Sequence, residues 1–237
     1  MSFKPPPTSA AFVDGVAFAD ATDTAIAAKK RYDQFDKSGT KDPNMCKALL
    51  QFPDHGAVFW SSKMAVDADG PAAGPGLKNG KELDPANGRL GTSFHLTPNG
   101  GFLPSEAIRY VVLPEDIVDN KKPFHPDLAL GDVAVVIYKN KLTTAICGDM
   151  GPVIKIGEGS IATHLGLKGA APDPCRRDTP DGPCRIIHDS SIEQDVLFFV
   201  FPHSASQLGG DLTIENLNAR VEELAKQLFA SLGGIIA

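Results

Sequence analysis

The sequence has no apolar run near the roughly 20 residues needed to span a bilayer. It also has no excess of basic residues. Lysine plus arginine number 23 against 29 for aspartate plus glutamate, a formal net charge of -6. That balance excludes the dense cationic surface from which nucleic-acid affinity arises. No C-x-x-C occurs among the four cysteines, so zinc-ribbon and thioredoxin-like arrangements have no support. No H-E-x-x-H occurs among the six histidines, and the acidic stretch around Asp67 and Asp69 lacks the glutamate that would complete an EF-hand loop. No metal or cofactor is expected. A Walker loop fails twice, at Pro75 and Glu82, and Ser160 in Gly157-Glu158-Gly159-Ser160 is one residue away from a nucleophile elbow. The N-terminus, Met1-Ser-Phe-Lys-Pro-Pro-Pro7, carries no secretory h-region. Export by a leaderless route is therefore expected if the protein acts outside the cell.

What is present is turn chemistry and short strands. The 23 glycines and 19 prolines separate apolar runs rich in β-branched and aromatic residues: Ala57–Trp60, Tyr110–Leu113, Val133–Tyr138, Leu142–Cys147 and Val196–Phe201. Lys139-Asn140-Lys141 reads as a hairpin loop, with Asn140 tolerating positive φ. Gly70–Gly91 reads as a long surface loop. Residues 1–45 form a polar lead-in, with helical composition over Ala17–Lys30, and residues 46–237 the main domain. Within it, Ile214, Leu217, Val221, Leu224 and Leu228 recur at helical spacing. Thr213 is the expected N-cap and Gly233-Gly234 the stop, giving an amphipathic helix over 213–232 that packs on the sheet. Cys175 and Cys184 bracket a turn-rich segment that a disulfide could close; the alternative is two unpaired thiols.

The stretch from Cys147 to Leu167 carries the chemistry. A strand runs out at Cys147-Gly148, Asp149 follows at the turn, and Gly151-Pro152 bends the chain. Glu158 stands between two glycines, ahead of Ser160, which caps a short helix over Ile161–Leu165. Two acids presented from backbone bends suit hydrolysis of a glycosidic bond, where one carboxyl gives a proton and the other activates water. The competing reading makes Asp149 a turn-capping acid and Glu158 a solvated one.

This segment resembles the fungal-type chitosanases of glycoside hydrolase family 75, in which a strand is followed by G-D-x-G-P and then I-G-E-x-S. The similarity extends to Phe59–Pro71, Asp84-Pro85, Tyr110–Pro114, Gly131–Tyr138 and Val200–Ser204, and covers roughly residues 56–205. The resemblance implies an endo-acting, inverting hydrolase of β-1,4-linked glucosamine polymers, with Glu158 as general acid and Asp149 as general base. It also implies a mainly β fold with a six-stranded double-psi β-barrel-like core, as in expansins, family 45 endoglucanases and rare lipoprotein A transglycosylases. Because chitosan is a polycation, the expected binding surface is acidic rather than lined with indoles; Trp60 is the single tryptophan. Asp67, Asp69 and Asp84 are the candidate amine-binding residues, and Lys63 and Tyr138 are expected to flank the site. The family block often reads D-C-D-G, whereas Ala68 stands between Asp67 and Asp69 here. The expected partner is a polysaccharide, with no nucleic acid or membrane. Two alternatives remain: a peptidoglycan-cleaving antibacterial effector with an immunity protein, and an inactive carbohydrate-binding module.

Overall fold

The computed structural model describes residues 2–4, 12–13, 16–17, 50–51, 56–70, 77–78, 81–82, 91–96, 101–114, 127–151, 156–180, 182–187 and 191–236. Six strands form the centre: β1 (Val58–Asp67), β2 (Tyr110–Pro114), β3 (Val133–Tyr138), β4 (Lys141–Gly151), β5 (Glu158–Ser160) and β6 (Ile192–Phe201). Five contain the apolar runs expected to be strands. The sixth, β5, has only three residues and no periodicity to betray it.

The strands follow the order β5-β2-β4-β3-β6-β1, and β5 pairs again with β1, closing a barrel. Closure satisfies the edge N–H and C=O groups of each stave, which an open sheet leaves available to other chains. β3 and β4 form a hairpin, with Tyr138 opposite Lys141. Two pairs are parallel: β2 with β4, and β5 with β1. Beyond the barrel, Leu50–Gln51 lies against the start of β1, and Phe12–Val13 and Val16–Ala17 extend that sheet. Part of the stretch expected to be a lead-in thus joins the main sheet. The helix expected over Ala17–Lys30 lies outside the described residues except at Ala17, which is in a strand. Leu77–Lys78 and Lys81–Glu82 form a small hairpin within the stretch expected to be loop.

The barrel staves present apolar side chains on both faces. One cluster, containing Leu103, Tyr110, Val135, Ile146, Phe199 and Phe201, is covered by the C-terminal helix; the other contains Val58, Trp60, Met64, Val136, Cys147 and Phe198. Trp60 is buried and stacks on Phe198 with centroids 5.1 Å apart, so its indole belongs to the core. Helix α1 (Ile161–Gly166) starts at Ser160, whose Oγ accepts the Thr163 N–H at 3.1 Å. Helix α2 (Ile214–Ser231) starts where Asn216 Oδ1 accepts the Thr213 N–H at 2.9 Å. It buries Leu217, Val221, Leu224, Ala225 and Phe229. Gly233, at φ 81°, ends it, with Gly234 N–H bonded to Phe229 O. The apolar stripe drifts around α2, because a 3.6-residue turn does not repeat in seven. Ile214 is consequently exposed, and Phe229 is fully buried while Leu228, partly buried, packs against the same cluster.

Phe3–Lys4 pairs with Ile235–Ile236 beyond α2. Cys175 and Cys184 form a disulfide, and both pack against Ala68 and Ile161. In the β3–β4 turn the residue with positive φ is Lys139 (52°), not Asn140; its ammonium lies 4.8 Å from the Tyr138 ring centroid. Among the described residues, no helix is long and apolar enough to cross a membrane.

Candidate active site

Asp149 lies near the end of β4 and is 5% exposed. Its Oδ1 accepts from Ser93 N–H at 2.8 Å, Ser93 Oγ–H at 2.6 Å and Met150 N–H at 2.7 Å. Ser93 is held there because the next residue, Phe94, donates its N–H to Gly148 O. These three donors fix the carboxyl plane, and Oδ2 takes no part in this set.

Asp67 ends β1, and Asp69 lies two residues further on. Carboxylate oxygens of Asp67, Asp69 and Asp149 all lie within 4.8 Å of one another. The loop carrying the first two is pinned from several sides. Asp67 Oδ1 accepts the Asp69 N–H at 2.8 Å, Ser105 Oγ–H donates to Asp67 O, and Tyr110 Oη–H donates to Asp69 O at 2.8 Å. Gly70 sits at φ +105°, with its α-carbon so close to Leu103 O that a Cβ would collide with that carbonyl. Only glycine meets both demands.

Glu158 begins β5, opposite Ala65 of β1, which brings it to the same group of acids. A Cβ on Gly151 would stand 3.4 Å from Glu158 Oε2, so the bend after Asp149 passes beside the Glu158 carboxyl. Gly157 lets β5 approach this closely: at φ +78°, any Cβ there would strike Lys63 O. Ala65 N–H donates to Gly157 O at 3.0 Å, and its own carbonyl accepts from His164 Nε2 at 3.2 Å. Burial pushes His164 down to about 4, so the imidazole is neutral and Nε2 carries the proton that this bond needs.

Burial also raises Asp67, to about 8, and the negative charges of Asp69, Glu158 and Asp149 push in the same direction against the Asp69 N–H bond. Near neutral pH, Asp67 is therefore largely a neutral acid able to donate a proton or a hydrogen bond. Tyr110 is raised well above its usual range, first by burial and then by Asp67, and remains a phenol.

The site therefore brings together Asp149, Glu158, Asp67 and Asp69. Asp67, a candidate amine-binding residue, is 7% exposed and mostly protonated, so it offers an ammonium group little charge. Its bond from Asp69 N–H also makes it a turn organiser. Lys63 is half-buried on β1, four residues before Asp67. Tyr138 is not brought to the cluster. It faces Lys141 at the start of β4, eight residues before Asp149 and about 25 Å away along an extended strand. Asp84 lies outside the described residues, as does the segment 152–155 following Gly151. Ser93 is not apparent from sequence, because a serine 56 residues before its carboxylate leaves no local pattern.

Comparison with known protein families and with curated proteins finds no match to this chain.

Proposed function

We propose that this acidic cluster is the active site of an endo-acting glycoside hydrolase that cleaves β-1,4 bonds between glucosamine units with inversion. The observation that carries the reading is the convergence of four carboxyl groups from β1, β4, β5 and the loop after β1. Hydrolysis with inversion needs a proton for the leaving oxygen and a base for the attacking water on the opposite face of the sugar. Glu158 is the general acid. Asp149, its plane fixed by Ser93 and the Met150 N–H, is the general base, using the oxygen outside that set. Asp69 supplies negative charge for the ammonium groups of the polymer. Asp67 donates a hydrogen bond from its neutral carboxyl and keeps the charge of the group from mounting further.

The expected setting is outside the producing cell. The test is reducing-sugar release from soluble chitosan, with the first-formed anomer read by proton NMR. Glu158→Gln and Asp149→Asn should each lower turnover by about 10²–10⁴ while keeping the fold. Retained activity in either folded variant overturns the assignment. Retention of the starting anomer overturns inversion. Release from peptidoglycan sacculi but not from chitosan would transfer the same residues to cell-wall glycan.

A further inference from the structure

Among the described residues, five large apolar side chains are exposed, and one of them, Phe102 (38%), packs on the segment that leads to Ser93. Phe102 belongs to the two-stranded hairpin His95–Leu96 and Gly101–Phe102, where it pairs with His95. The His95 ring meets the Phe102 ring edge-on, with centroids 4.7 Å apart. The phenyl lies over Gly91: a Cβ at that position would stand 3.0 Å from Phe102 Cε1. Gly91 is two residues before Ser93, the residue that holds Asp149.

The hairpin is also tied down. Leu103 N–H donates to Thr92 Oγ1 at 3.0 Å, and Phe94 N–H donates to Gly148 O at 3.0 Å. The ring is thus held against the backbone that positions Asp149, yet more than a third of Phe102 faces solvent. Apolar surface beside a few convergent polar groups is the usual make-up of a small-molecule subsite. A glucosamine ring matches it, with an apolar C–H face, hydrogen-bonding edges and an ammonium group attracted both by carboxylates and by an aromatic face.

We propose that Phe102 forms an apolar platform that binds a glucosamine ring close to Asp149 and so helps determine specificity. The inference rests on reading the acidic cluster as a glycosidase site, and adds to it a residue that touches substrate without taking part in proton transfer.

The test compares the full chain with its Phe102→Ala and Phe102→Trp variants, using glucosamine oligomers of increasing length. Phe102→Ala should raise KM about three- to tenfold with kcat within about twofold; Phe102→Trp should restore KM, because it keeps an aromatic face. Thermal melts identify any variant that owes its change to unfolding. Affinity electrophoresis through gels containing soluble chitosan measures binding apart from turnover. Unchanged KM and unchanged retardation in folded Phe102→Ala overturn the platform. A wild-type protein that is retarded by chitosan through Phe102 but releases no sugar overturns the hydrolase reading and leaves the platform standing. A wild-type protein that neither binds nor cleaves chitosan overturns both.

Discussion

Replacing Asp67 by asparagine should reverse the usual outcome of disturbing a buried site: the variant should be more stable than the parent at pH 8. The folded Asp67 carboxyl titrates at about 8, against 3.8 for the ordinary group. Between those values the folded protein holds a proton that the unfolded chain has released. Stability from this group is fully present below about pH 4 and is lost as pH rises through about 8. The limiting slope is about 1.4 kcal/mol per pH unit. For a chain of this size that corresponds to about 3–5 °C in Tm per unit. The substituted amide would have no proton to lose and keeps an oxygen to accept the Asp69 N–H. His164 acts in the opposite direction, because its folded value of about 4 lies below 6.5; its contribution is complete above about 6.5 and lost as pH falls through about 4. That term is common to both proteins and cancels in their difference. Thermal melts of parent and Asp67→Asn at unit steps from pH 4 to 9 should give a Tm difference that grows with pH and flattens above about 8. Parallel curves would refute the assignment of Asp67 as the proton-holding group.

Two further outcomes follow from the same geometry. Ser93→Ala removes the Oγ–H donor to Asp149 while leaving the backbone N–H. Loss of one charge-assisted bond, about 1.5–3 kcal/mol, should appear as a fall of about tenfold or more in kcat with KM little changed, measured by steady-state kinetics on chitosan oligomers. The double variant Cys175→Ser and Cys184→Ser opens a loop whose ends are nine residues apart. A loss of about 2–3 kcal/mol in denaturant unfolding is expected from loop entropy, with reductant destabilising the parent but not the variant.

The elements legible in the sequence are those with a local physical cause. Val133–Tyr138 and Leu142–Cys147 declare themselves because β-branched residues crowd between turn formers, and α2 because five apolar side chains recur once per turn. Ser160 is legible as an N-cap for the same reason. β5 is not: three residues flanked by glycine become a strand only because β1 and β2 lie on either side to receive their hydrogen bonds. Asp149 and Glu158 can be picked out by their setting between turn glycines and by resemblance to a known family, but nothing local brings Asp67 or Ser93 to them. Those contacts span the chain and depend on barrel closure. Sequence offers Asp67 as a candidate amine-binding charge, because it carries no record of desolvation. Its block puts Tyr138 near the site; strand direction sends it toward the opposite end of β4.

The order of the staves also sets an order of assembly during synthesis. β6 lies between β3 and β1 in the barrel, although it is the last of the six to be made. A nascent chain ending before residue 192 can pair β5, β2, β4 and β3, and can place β5 against β1, but it has a gap one strand wide. The facing edges of β1 and β3 then stand unpaired, as templates for pairing with other chains. Contacts of long sequence separation form slowly because the loop entropy precedes their reward. The ribosome must therefore release residue 201 before β6 can fill the gap, and the interval before that is when this protein most needs shielding from its neighbours.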